Sequence, residues 1–255
     1  WARHQRKGDP MLKQLTKNIL YLPSCEQTDR PALGYIAGRE ASLMVDAGNS
    51  PAHAQLFLSQ LRQEGLAAPD YVVLTHWHWD HCFGLSALSA ISLCSSKTQE
   101  KLREMSAWGW SEEQMQKRLQ TGQEIAFCHE NILKEYPDRR HICVRAAELS
   151  FSGELSIDLG GRTARLLPLS NSHAEGSLAV FVPEERALML GDIICPDYYG
   201  SMPPRHCPKK LVQLIAQLNA LDFDTALYGH GEPAQVCKAE LLADLQSALA
   251  EVLPA

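Results

Sequence analysis

His76, His78, Asp80 and His81 fall within six consecutive positions of Thr75-His-Trp-His-Trp-Asp-His81, directly behind the apolar run Tyr71-Val-Val-Leu74. Neutral imidazoles and a carboxylate are donors that zinc and other first-row divalent metals accept. If the chain stays extended as it leaves a strand, His76 and His78 point to one side, because side chains alternate with period two. Asp80 and His81 lie where Cys82-Phe-Gly-Leu-Ser-Ala-Leu88 can begin a helix, so they can turn toward a second point nearby. One short segment can thus feed two adjacent metals. Three more donors follow: His173 in Ser172-His-Ala-Glu-Gly-Ser177, Asp192 at the end of Ala187-Leu-Met-Leu-Gly-Asp192, and His230 in Tyr228-Gly-His-Gly231. Each alone reads as an ordinary surface or core residue. Seven in order, each at an expected strand end or in a glycine-bracketed loop, read as a metal site.

In this order the residues resemble the metallo-β-lactamase-fold hydrolase superfamily, whose motif is His-x-His-x-Asp-His, then a lone His, an Asp and a final His. The likeness runs from about Leu20 onward. It implies that His76, His78 and His173 bind one metal, that Asp80, His81 and His230 bind another, and that Asp192 bridges them. The implied cofactor is two Zn2+ ions, with iron or manganese as substitutes. The implied fold is α/β, a four-layer αββα sandwich of the metallo-β-lactamase type with a helical insertion. It does not name a substrate, since one scaffold hosts many reactions.

A dinuclear site makes hydroxide at neutral pH and polarises the carbonyl that it attacks. The expected activity is hydrolysis of a small-molecule ester, thioester or lactone by metal-activated hydroxide. Asp80 is expected to serve as a ligand or also to orient the nucleophile and shuttle a proton. Tyr198 and Tyr199, in the loop leaving Asp192, are candidates to donate a hydrogen bond to the substrate. An aspartate at 192 resembles the hydroxyacylglutathione hydrolase and lactonase-like branch. True class-B β-lactamases are expected to carry cysteine or serine there, so β-lactam hydrolysis is the lesser reading. Only 25 residues follow His230, room for one helix, which weakens the glutathione assignment. An iron-dependent oxidoreductase of the persulfide dioxygenase kind uses a subset of the same ligands. A metal-stabilised binding module without activity is the third reading, disfavoured by the complete ligand set.

The elements that must position these residues are legible. Strands are expected at 18–22, 34–37, 42–45, 71–74, 91–94, 155–159, 163–169, 178–182, 187–190 and 225–228. Ser50-Pro51 signals a helix N-terminus and Gly65 its end. Pro208 opens a helix with Leu211, Leu214, Ile215 and Leu218 at helical spacing, and Pro233 opens the last, striped by Leu242, Leu245, Leu249 and Val252. The segment from Gly34 to Asp46 reads like that from Ala179 to Asp192, two short strands around a polar turn ending in aspartate. That suits two similar β halves, with Asp46 either orienting a ligand histidine or simply forming a turn. Between His81 and His173 lie two helical stretches with capping-box patterns, Ser96-Lys-Thr-Gln99 and Ser111-Glu-Glu-Gln114, the second stopped by Gly122. Residues 97–137 therefore read as a helical cap, with Trp108 and Trp110 either lining the active site or packing on the body.

At 255 residues, 45% hydrophobic and 21% charged, the chain can bury a large core, and with no linker-like stretch it reads as a single domain with residues 1–17 as an N-terminal extension. A net charge of −6 argues against a nucleic-acid partner. No apolar run approaches a membrane span, and the first ten residues lack a secretory core. A native start at Met11 behind a non-native leader fits the same residues. Eight cysteines with no Cys-x-x-Cys pair read as reduced thiols of a cytoplasmic protein. Cys82 and Cys195, beside proposed ligands, read as small buried hydrophobes.

Overall fold

The computed structural model describes residues 10–200 and 202–253. Its first sheet is laid down in chain order: β1 (Lys13–Thr16), β2 (Ile19–Leu22), β3 (Leu33–Ala37) and β4 (Ser42–Val45) are antiparallel neighbours. Helix α1 (Pro51–Gln63) then carries the chain over to β5 (Tyr71–Val73), which lies parallel to β4. The short helix α2 (Trp79–Cys82) and a 3-10 turn lead to β6 (Ile91–Ser95), and helices α3 (Ser96–Ser106), α4 (Glu112–Gln120) and α5 (Ala126–Glu135) precede the edge strand β7 (Leu149–Phe151). The second sheet comprises β8 (Leu155–Asp158), β9 (Thr163–Pro168), β10 (Leu178–Val182), β11 (Ala187–Met189), β12 (Thr225–Leu227) and β13 (Gln235–Cys237) in the same spatial sequence. Helices α6 (Pro208–Ala220) and α7 (Lys238–Val252) flank it.

Strand alternation builds the layers. In β10, Leu178, Val180 and Val182 face the first sheet while Ala179 and Phe181 face α6 and α7. In β4, Leu43 and Val45 enter the same inter-sheet core, and Met44 turns to the helical side with Phe57 and Leu61 of α1. Strands buried on both faces carry apolar residues at every position, which is why these runs lack a polar alternation. The result is helix, sheet, sheet, helix, with one core between the sheets and one outside each. The hairpin β3–β4 followed by parallel β5 has its counterpart in hairpin β10–β11 followed by parallel β12, so the expected internal repeat is a repeat of topology.

Several boundaries differ from expectation. Pro233 does not open a helix; the chain first forms β13 against β12, and α7 starts at Lys238 behind a Cys237/Glu240 capping box. An open backbone edge beside β12 outweighs the proline signal. The N-cap of α3 is Ser95, whose hydroxyl accepts from the Thr98 amide, one residue earlier than the pattern suggested. Ser111 caps α4 as expected. The insertion holds a third helix, α5, unmarked because Ile125 at its N-cap offers no side-chain acceptor. Of the N-terminal extension, residues 13–16 form β1, and residues 1–9 lie outside the described residues. No helix among the described residues is long and apolar enough to cross a membrane.

The insertion is bonded to the body. Glu135 at the end of α5 accepts from Arg30 (2.6 and 3.2 Å) and from the Ser50 hydroxyl, and Tyr136 donates to the Asn49 carbonyl (3.1 Å). Trp108 and Trp110 both stack on the buried Arg118 guanidinium at 4.7 Å, and Trp110 sets its edge on Phe83. They border a cavity of about 930 Å3 shared with Pro137, Arg139 and Ile142, and none of the seven candidate ligands borders it. For these two indoles the packing reading holds.

Candidate metal centre

The seven candidate residues arrive from strand ends on one rim of the sandwich. His76, His78, Asp80 and His81 follow β5, His173 precedes β10, Asp192 follows β11 and His230 follows β12. Backbone bonds across the two halves fix this rim: the Leu178 amide donates to the Thr75 carbonyl (2.8 Å) and the Ala32 amide to the Gly229 carbonyl (2.7 Å). The donor atoms gather in two groups, His76/His78/His173 and Asp80/His81/Asp192/His230, each with its donors within 4.8 Å of one another. All seven are buried except His230, which is partly exposed.

Asp46 anchors the arrangement from behind. Its Oδ1 accepts from the Thr75 amide (2.7 Å), and its Oδ2 accepts from the Thr75 hydroxyl (3.0 Å) and the His81 Nδ1–H (2.7 Å). The threonine proton is thereby committed, so the 3.0 Å contact between Thr75 Oγ1 and His76 Nδ1 has the imidazole as donor. His173 Nδ1–H donates in turn to the Pro196 carbonyl (3.1 Å). Both rings then present bare Nε2 lone pairs, and these face each other at 3.2 Å. Burial, together with neighbouring histidines, holds His76 well below its ordinary pKa, and burial lowers His173 too, so neither gains a proton to relieve the contact.

A divalent cation held between the two nitrogens would resolve that opposition. Three of the buried side-chain atoms left without a hydrogen-bond partner belong to the candidate ligands: His78 Nε2, His81 Nε2 and Asp192 Oδ1. Asp192 Oδ2 lies 3.6 Å from His173 Nε2, 3.5 Å from His81 Nε2 and 3.7 Å from His230 Nε2, so one carboxylate oxygen faces both groups. Asp80 Oδ2 sits 2.9 Å from His230 Nε2 and 3.1 Å from His81 Nε2. Although burial opposes a charged imidazole, Asp80, Asp46 and Asp192 raise His81 well above its usual pKa. Against the same burial, Asp192 and Asp80 carry His230 up to about 9. The carboxylates thus draw positive charge onto this group, which is the demand that divalent ions would meet. The donor set fits a divalent metal.

Tyr198 and Tyr199 part company. Tyr198 is 38% exposed and sets its ring edge on His173 at 5.8 Å. Tyr199 turns inward and donates its hydroxyl to Glu124 (2.8 Å), a bond to the helical insertion that sequence reasoning missed. Cys82 lies in the core with Sγ against the Trp77 carbonyl, as a small hydrophobe would. Gly229 was also overlooked as a site residue: a Cβ there would lie 2.1 Å from Asp192 Oδ1. Gly229→Ala is expected to displace the Asp192 carboxylate and weaken metal uptake roughly 10- to 100-fold, the scale of a disturbed ligand environment. Equilibrium dialysis with circular dichroism as a fold control measures this; unchanged uptake would show the carboxylate has room to move.

A family model described as the metallo-beta-lactamase superfamily matches residues 32–249. Among solved structures, a metallo-beta-lactamase from Pontibacter korlensis is 14% identical with a TM-score of 0.65, covering 94% of this chain and 99% of that one. A metallo-beta-lactamase superfamily protein from Sulfolobus tokodaii, ST1585, is 22% identical with a TM-score of 0.56, covering 90% and 85%. The sec-alkylsulfatase Pisa1 from Pseudomonas sp. is 12% identical with a TM-score of 0.67, covering 94% of this chain but 41% of that one. No curated protein matches the sequence significantly. At these identities the structural likeness establishes the fold.

Proposed function

This chain belongs to the metallo-β-lactamase superfamily, and from that premise we propose that it is a dinuclear metal-dependent hydrolase of a small-molecule ester, thioester or lactone. The observation that carries the reading is Asp192 Oδ2 standing within 3.7 Å of an imidazole nitrogen of the first group and two of the second. A carboxylate so placed suits two neighbouring cations. His76, His78 and His173 would hold one and Asp80, His81 and His230 the other, with Asp192 serving both. When bound, such ions acidify water and withdraw charge from an acyl oxygen.

The chain's own residues do the remaining work. Asp80 reaches the interior of the site with a carboxylate held well below the ordinary range, burial being overcome by the charges and hydrogen bonds of His81 and His230. It takes a proton from the attacking water at a carboxylate oxygen and passes it to the leaving alcohol or thiol. Tyr198, with its hydroxyl pushed up to about 12 chiefly by burial, stays protonated at neutral pH and can donate to the substrate's carbonyl or leaving oxygen. Asp46 and Thr75 fix the orientation of the His81 and His76 rings through their Nδ1 atoms.

The test is a panel of simple esters, thioesters and lactones, with a β-lactam and a persulfide as comparators, assayed alongside metal analysis. Hydrolysis should fall on the order of 100-fold or more on chelation, the scale of losing pre-organised charge stabilisation, and return on adding zinc or manganese. Chelator-insensitive turnover would overturn the reading. One iron per chain with oxygen uptake on the persulfide would replace it with oxidation.

A further inference from the structure

Metal-ligating histidines are normally oriented by a hydrogen bond from the ring nitrogen that does not bind. Three of the five candidate histidines show such a bond, and a fourth has a longer ion-pair contact. His76 has Thr75, His81 has Asp46, His173 has the Pro196 carbonyl, and His230 has the Asp29 carboxylate at 3.9 Å from its Nδ1. The His78 ring alone among the five forms no hydrogen bond or ion pair with the described residues. Its ring is held by other rings instead. Trp77 stands edge-on at 4.4 Å, His173 at 4.4 Å and His76 at 4.6 Å, while Tyr199 lies tilted at 5.2 Å.

Of these neighbours Tyr199 is the one hydrogen-bonded to the helical insertion. Its hydroxyl donates to Glu124 Oε1 (2.8 Å) and lies 3.6 Å from Cys128 Sγ. Glu124 is only 8% exposed, and the same oxygen accepts the Ile125 amide at the start of α5 (2.9 Å). The Tyr199 ring also meets Trp77 at 5.5 Å, so one aromatic side chain touches both the ligand and its flanking indole. A ring that is free to swing confines nothing; a ring pinned at its hydroxyl does.

We propose that Glu124 and Tyr199 are positioning residues for His78: the carboxylate on the helical insertion pins the tyrosine, and the tyrosine ring fixes the imidazole that no hydrogen bond orients. The insertion is thereby part of the metal site rather than a detachable cap. This rests on the dinuclear reading given above.

The experiment titrates apo protein with Co2+, following the visible ligand-field bands and competing with a chelator, for wild type, Tyr199→Phe, Glu124→Ala and Glu124→Gln. Thermal unfolding of each apo variant reports on the fold. Tyr199→Phe and Glu124→Ala should weaken one of the two metal equivalents roughly 10- to 100-fold, the usual effect of losing a ligand's outer partner, and alter its spectrum. Glu124→Gln, which keeps an oxygen acceptor, should behave as wild type. If Glu124→Ala does not fold, the near-isosteric Tyr199→Phe still decides. Two equivalents bound with unchanged affinity in Tyr199→Phe would overturn the proposal alone, as would an equal loss at both equivalents. Fewer than two equivalents in wild type would overturn the dinuclear reading and this inference with it.

Discussion

Replacing Asp192 with alanine is expected to lower kcat/KM on any cleaved ester, thioester or lactone by about 100-fold or more, the scale seen when one pre-organised charged group is lost. Asp192 is buried, yet the positive charges on His230 and His81 hold its carboxyl far below the ordinary carboxylate range. That energy is a measure of how strongly this point of the protein favours a negative charge facing positive ones. Alanine removes the oxygen that faces both donor groups at once. The side chain carries no backbone bond of the sandwich, so circular dichroism should be unchanged. Steady-state kinetics with metal analysis of the purified variant provides the check. Turnover within tenfold of the parent, with two metals retained, would remove Asp192 from the proposed mechanism.

Asp46→Ala should act differently, by destabilising the fold. Asp46 sits in the left-handed region at φ 62°, which aspartate tolerates better than alanine. Its carboxylate accepts from the Thr75 amide, the Thr75 hydroxyl and His81, all buried. Truncation leaves those donors without partners inside the protein, where each orphaned group costs about 1–3 kcal/mol. A loss of about 3–5 kcal/mol is expected, as for other buried charged networks broken on one side. Asp46→Asn fills the same space and suits the same backbone, but its amide group presents donors where the threonine hydroxyl and His81 also donate. It should cost less stability than alanine while still weakening metal binding. Urea unfolding of the apo proteins, followed by metal titration, separates the two effects. Equal stability of Asp46→Ala and wild type would mean the network is not intact in solution.

The two clusters of candidate donors were legible in sequence because their chemistry is carried by residue type and lies at strand ends that the apolar runs announce. The central strands were legible for the related reason that both faces are buried. The three strands that went unrecognised, β1, β7 and β13, are all sheet edges. An edge strand is held by a single row of hydrogen bonds and presents more of itself to solvent, so Leu149-Ser-Phe151 and Gln235-Val-Cys237 carry no distinctive pattern. Glu124 could not have been found at all. It follows Thr121-Gly-Gln in what reads as a polar turn, and its partner Tyr199 lies 75 residues further along. Asp46 was half legible, since the repeat of Gly34–Asp46 in Ala179–Asp192 marked the position but not which way the carboxylate would point.

The division of donors between the two topological repeats has a thermodynamic consequence. His76, His78, Asp80 and His81 come from the first sheet's side, and His173, Asp192 and His230 from the second's. Each of the two donor groups draws from both sides. Neither sheet alone can assemble either group, so occupancy and the docking of one sheet on the other are linked equilibria. A ligand that binds only the docked state stabilises it by RT ln(1 + [L]/Kd), about 2.7 kcal/mol at a hundredfold excess over Kd. The metal would act as a reversible cross-link across the inter-sheet core, and its free concentration would set how tightly the sandwich is closed.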